Sequence, residues 1–180
     1  MEKEMVASGD RLITRRTALR SMAGIASAGI GALSLSDRAT AKSVGEYVIL
    51  HWSGRVLDYN GTEPTADANL TLGERYSPSS QRWIIDQDSG ENYYIKLPGT
   101  DLVLDLSQWR GDDDIYLERL DNFPSQRWQF EEHSAGGYYI VNERSDAVLD
   151  VDKGLMDKGT TVVQQEMVVV DSQRWAFLPF

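Results

Sequence analysis

Gln81-Arg82-Trp83, Gln126-Arg127-Trp128 and Gln173-Arg174-Trp175 are three copies of one tripeptide, and the fold follows from what stands before them. Upstream of each lies a Val-Leu-Asp: Val56-Leu57-Asp58, Val103-Leu104-Asp105 and Val148-Leu149-Asp150. From Asp to Gln the spacing is 23, 21 and 23 residues, and Tyr47, Tyr94 and Tyr139 each precede the Asp by eleven. Self-similarity at a fixed period marks a repeat architecture, here of three units at about 45–88, 89–133 and 134–180.

Inside each unit the apolar segments are short, β-branched or aromatic, and punctuated by turn residues, which predicts strands. The first unit offers 47–50, 56–58, 70–72 and 83–85, the second 93–96, 103–105, 115–118 and 128–130, the third 138–142, 148–150, 161–165 and 175–177. No stretch between 46 and 180 sustains a helical apolar period. Twelve short strands in three units predict an all-β domain closed on itself, because closure removes the exposed edges that invite aggregation. Trp83, Trp128 and Trp175 are expected to meet in the core near the threefold axis, where each supplies a large buried area. The three Val-Leu-Asp leucines and Tyr47, Tyr94 and Tyr139 are expected to line the same core. Gln81, Gln126 and Gln173 are expected to cap backbone groups at a strand start, since a buried amide needs partners.

Three Gln-x-Trp motifs, each 21–23 residues after a Leu-Asp, resemble the ricin-type β-trefoil lectins and carbohydrate-binding modules from about Gly45 to Phe180. The resemblance implies a β-trefoil with up to one shallow sugar site per unit. It implies that Asp58, Asp105 and Asp150 accept hydrogen bonds from sugar hydroxyls. It places a stacking ring at Gly73, Glu118 and Gln165, and a further polar contact at Ser80, Ser125 and Ser172. Three residues beyond the ring position stand Tyr76, Asp121 and Val168. The first unit is therefore the best equipped, with Asp58, Tyr76 and Ser80, and Tyr59, Trp52 or His51 to replace the missing ring. The second has Asp105, Glu118, Asp121, Ser125 and Trp109; the third has Asp150 and Ser172. A second reading of the three aspartates is open: each caps the turn after its strand.

Residues 1–41 read as a leader outside the repeat. Arg15-Arg16 precedes an uncharged stretch, Ser21 to Leu35, and then the small-x-small Ala39-Thr40-Ala41, a pattern similar to twin-arginine signal peptides. The stretch is too short to span a bilayer, and export to the cell exterior is the expectation, with no membrane insertion once the leader is removed. Taking the six basic and four acidic residues of 1–41 from totals of 18 and 28 leaves 12 Lys+Arg against 24 Asp+Glu, a formal charge of −12. That field repels nucleic acid and anionic membranes, and with four lysines in the mature part it fits a surface adapted to concentrated salt. There is no cysteine, so no disulfide supports the core.

Catalysis has thin support: two histidines, no cysteine and no glycine-rich phosphate loop leave few nucleophile–base pairs. The chain reads as a non-enzyme without cofactor or metal. Asp150-Val151-Asp152-Lys153-Gly154 opens like a calcium loop, but Thr161 stands where its final carboxylate belongs, and Asp112-Asp113-Asp114 reads as a solvated acidic loop. Two functions remain: an exported module that binds a carbohydrate, or a trefoil scaffold that binds or inhibits a protein partner.

Overall fold

A computed structural model of the chain describes residues 45–59, 61–76, 78–106 and 115–180. The leader, Trp109 and Asp112 to Asp114 lie outside the described residues. Each unit supplies four strands: β1 (Gly45–His51), β2 (Val56–Tyr59), β3 (Leu70–Gly73) and β4 (Trp83–Gln87) in the first. The second has β5 (Tyr93–Lys96), β6 (Leu102–Leu106), β7 (Ile115–Arg119) and β8 (Trp128–Glu132). The third has β9 (Tyr138–Asn142), β10 (Val148–Val151), β11 (Val162–Gln165) and β12 (Trp175–Pro179).

Pairing closes six of them into a barrel: β1 with β4, β4 with β5, β5 with β8, β8 with β9, β9 with β12, and β12 back to β1, all antiparallel. The other six form three hairpins, β2–β3, β6–β7 and β10–β11. Single bridges from Asn69 to Tyr116 and from Thr71 to Thr161 link the hairpins to one another. This is a β-trefoil. One antiparallel barrel with a hairpin triplet leaves few free edges, as the repeat required.

The core is threefold as well. Trp83, Trp128 and Trp175 are fully buried among Leu57, Leu104 and Leu149 and among Ile49, Ile95 and Ile140. Each indole also donates a hydrogen bond, Trp83 to the Leu57 carbonyl (3.2 Å), Trp128 to that of Leu104 (3.2 Å) and Trp175 to that of Leu149 (3.0 Å). The tryptophan thus fills the core and ties its barrel strand to the Val-Leu-Asp strand of its own unit.

The tyrosines are a correction. Ile49, Ile95 and Ile140 face Phe177, Ile85 and Phe130 in the ladders, which makes Tyr47 the mate of Tyr93 and Tyr138, not of Tyr94 and Tyr139. The turn after β1 returns from His51 to Arg55, whereas its counterparts return from Leu97 to Leu102 and from Asn142 to Ala147, one residue longer. Equal counts to the Asp therefore align different faces of the strand, since a one-residue slip reverses every side chain. Tyr47, Tyr93 and Tyr138 gather with Phe130 and Phe177 beside the core. Tyr94 and Tyr139 point the other way, their hydroxyls bonding Asn122 Oδ1 (3.2 Å) and the Val168 carbonyl (3.1 Å).

Candidate sugar-binding sites

The same hydrogen-bonded device occurs once per unit. Gln81 Nε2 donates to Asp58 Oδ2 (2.8 Å) and to the Glu74 carbonyl (2.7 Å), and Gln81 Oε1 accepts the Tyr76 N–H (3.2 Å). Gln126 does the same with Asp105 (2.9 Å), the Arg119 carbonyl (2.8 Å) and the Asp121 N–H (2.9 Å). Gln173 holds Asp150 (2.8 Å), the Glu166 carbonyl (2.8 Å) and the Val168 N–H (2.8 Å). The glutamines are fully buried and the aspartates nearly so. Every polar function of the amide is satisfied, which a buried glutamine requires.

The glutamines do cap backbone groups, but those seven and five residues upstream rather than at the start of their own strand. What places them is a 3-10 turn at Ser79–Gln81, Pro124–Gln126 and Asp171–Gln173, a feature the strand pattern did not signal. The aspartates hold a side chain rather than only a turn. Asp150 does both, since its Oδ1 accepts the Val151 N–H (2.7 Å).

The ring position behaves differently. Gly73 is buried with its backbone against the Asp58–Gln81 pair, where a Cβ would collide with Asp58 Oδ2 and stand 3.0 Å from Gln81 Nε2. A stacking ring cannot come from residue 73. Glu118, half-buried, accepts the Arg119 N–H (2.8 Å), and Gln165 is exposed. His51 and Tyr59 are buried, and the Trp52 ring lies against the Arg174 guanidinium of the third unit, 3.6 Å from the ring centroid. The residue presented outward by the glutamine is the one three positions beyond: Tyr76, 68% exposed, then Asp121, then Val168, all exposed. Unit by unit, the same backbone anchor offers a ring, a carboxylate and an apolar methyl pair.

Of the serines before the glutamines, Ser80 is half-buried while Ser125 and Ser172 are withdrawn from solvent. The Ser125 carbonyl accepts a bond from Asn142 Nδ2 (2.7 Å), and His51 Nε2 makes the corresponding bond to the Ser172 carbonyl (3.3 Å). His51 and Asn142 occupy equivalent positions at the end of β1 and β9, so these bonds bolt one unit to the next. Burial pushes the His51 pKa down, keeping the ring neutral; Nε2 then donates while Nδ1 accepts the Ser53 N–H (3.2 Å). Neither bolt was legible before the units' neighbours were known.

Among the described residues no group of three His, Asp or Glu side chains stands close enough to hold a metal ion. No helix among them is long and apolar enough to cross a membrane.

Residues 46–175 match the family model of the ricin-type β-trefoil lectin domain. The chain belongs to that family. Among solved structures it is similar to a designed threefold symmetric protein, ThreeFoil, with 21% identity, a TM-score of 0.71, and coverage of 76% of this chain and 99% of that one. The C-half of the earthworm R-type lectin, solved in complex with GalNAc, shares 19% identity at a TM-score of 0.61, covering 76% and 99%. An exo-β-1,3-galactanase from Clostridium thermocellum shares 20% at 0.69, but the 77% of this lectin-family chain that aligns spans only 31% of that enzyme. No curated protein matches the chain in sequence.

Asp105 differs from its two mates. Its Oδ1 is buried with no hydrogen bond of normal geometry among the described residues, and burial raises its pKa against the lowering effect of Ser125, Gln126 and the Leu106 N–H, which stand close to the carboxylate. A raised folded-state pKa means a contribution present at low pH and lost as pH climbs through that value, above the usual Asp range near about 4. Asp105→Asn is therefore expected to be neutral or stabilising at pH 7 and to flatten the pH dependence. Asp150→Asn, which turns an amide donor on the Val151 N–H or on Gln173, is expected to lose about 1–3 kcal/mol. Urea unfolding of both variants from pH 4 to pH 8 checks the contrast.

Proposed function

We propose that this lectin-family chain is a carbohydrate-binding module without catalysis of its own, working mainly through its first unit. The observation that carries it is Tyr76: an exposed ring whose backbone is fastened to the same glutamine that orients Asp58. An aromatic face covers sugar C–H surface while a carboxylate oxygen fixes hydroxyl direction, and the two must be held in register to act together. Ser80, at the edge of the same turn, supplies a further polar contact. In the second unit Asp105, Glu118, Asp121 and Ser125 offer acceptors without a ring. In the third, Asp150 and Ser172 stand beside exposed Val168, Val169 and Val170, and that apolar ridge favours a protein partner there over a sugar.

Tyr76→Ala leaves the Tyr76 N–H bond to Gln81 intact, so the fold should stand while glycan affinity falls about tenfold, near 1.4 kcal/mol for one ring face. Asp58→Asn should weaken binding on the same glycans, and Val168→Ala should not. A glycan array that shows no ligand for the wild-type domain overturns the reading in favour of the scaffold.

Residues 1–41 support export, through the twin arginines and Ala39-Thr40-Ala41, and the acidic mature surface supports a salty exterior. The released protein is expected to begin at Lys42 on N-terminal sequencing and to melt higher as salt screens its −12 charge. An uncleaved cell-associated chain, or melting indifferent to salt, contradicts the respective half.

A further inference from the structure

We propose a second glycan contact at the junction of the first and third units, built on Trp52 and outside the Asp–Gln positions. It rests on the sugar-binding reading above but uses different residues.

Trp52 sits in the turn from β1 to β2 and is 56% exposed, while Trp83, Trp128 and Trp175 are completely buried. It is nevertheless held in place. Its backbone N–H donates to the Arg174 carbonyl (3.0 Å), and the turn is closed by Gly54 N–H on the His51 carbonyl (3.0 Å), Gly54 taking the left-handed φ of +85° that few other residues tolerate. The Arg174 guanidinium lies over the indole 3.6 Å from its centroid. That guanidinium is itself fixed, donating to the Gly136 carbonyl (2.7 Å), to the Ala135 carbonyl and to Asp171 Oδ1 (3.1 Å). One ring face is thus covered by a cation that cannot swing away, and the exposure belongs to the rest of the ring. Such a ring has little orientation left to lose on binding, which is what makes a stacking platform effective.

The equivalent positions in the other units, by the bonds to Arg127 and by the hairpin register, hold Glu143 and Pro98, so the platform occurs at this junction alone among the three. Its surroundings choose the ligand class. Arg174 commits three of its five N–H donors to the Gly136 and Ala135 carbonyls and to Asp171, so its charge is already paired with a carboxylate and offers little to a uronic or sulfated sugar. Asp171, half-exposed at the edge of the same guanidinium, supplies an acceptor for hydroxyl groups and repels anions. An open aromatic face with a neighbouring carboxylate fits a neutral pyranose of a glycan chain.

Affinity electrophoresis of the domain through gels holding galactan, xylan, mannan or mixed-linkage β-glucan tests this, with wild type, Trp52→Ala, Tyr76→Ala and the double variant. The Trp52 ring packs on the Arg174 guanidinium rather than among the buried core residues, so Trp52→Ala should lower the melting temperature by only a few degrees and leave the domain folded. It should reduce retardation by about five- to tenfold on at least one neutral polysaccharide, in the wild-type and in the Tyr76→Ala background alike. Retardation unchanged by Trp52→Ala overturns the proposal, whatever Tyr76→Ala does; a loss with Trp52→Ala and none with Tyr76→Ala keeps this contact and removes the first-unit site. A panel in which no polysaccharide retards the wild type overturns both. Sedimentation that shows Trp52→Ala dissociating a dimer assigns the ring to a second copy and also overturns it.

Discussion

Each unit depends on one buried amide. Gln81, Gln126 and Gln173 join three pieces of chain that are otherwise separate: the Asp at the end of the Val-Leu-Asp strand, a carbonyl leaving the next strand, and an N–H two residues later. Removing any one of these glutamines leaves a buried carboxylate without its donor and two backbone groups without partners. Unpaired buried polar groups cost about 1–3 kcal/mol each, and more when charged. The tryptophan two residues on ties its own barrel strand to the Val-Leu-Asp strand from the core side through its indole N–H. Gln and Trp, two apart on a strand entry, thus secure opposite faces of one junction, and this is why the tripeptide repeats as a unit.

That device separates what the units share from what they do. The glutamine oxygen anchors a backbone N–H and says nothing about the side chain attached, so Tyr76, Asp121 and Val168 occupy one scaffold position with three chemistries. Function can diverge there without disturbing the fold. The same holds for the arginine between Gln and Trp. Arg82 lies over the Phe180 ring, Arg127 pairs with Glu143 and Asp88, and Arg174 braces Trp52. The core is threefold while the surface is three different surfaces.

The sequence made the strands legible, nearly to their ends, because short apolar segments between turn residues have one comfortable conformation. It made the aspartates legible as special, but not their partner, which lies 21 to 23 residues away behind a 3-10 turn that no periodicity announces. Counting failed where the β1–β2 turn is one residue short and paired Tyr47 with the wrong tyrosines. It failed again at Gly73, where a Cβ would meet Asp58 Oδ2 in the first unit, although Glu118 and Gln165 carry side chains at the same register position beside the same Asp–Gln pair. Trp52 beside Arg174 and His51 beside Ser172 join the first unit to the third across more than a hundred residues, and only the closed barrel makes them neighbours.

The most direct test of the central role given to the glutamines is hydrogen exchange at their side-chain amides, followed by NMR. If each amide is bonded on both sides inside the fold, the Nε2 protons of Gln81, Gln126 and Gln173 exchange only when their unit opens, orders of magnitude more slowly than those of the partly exposed Gln87. Exchange of the three at the rate of Gln87 would contradict the account.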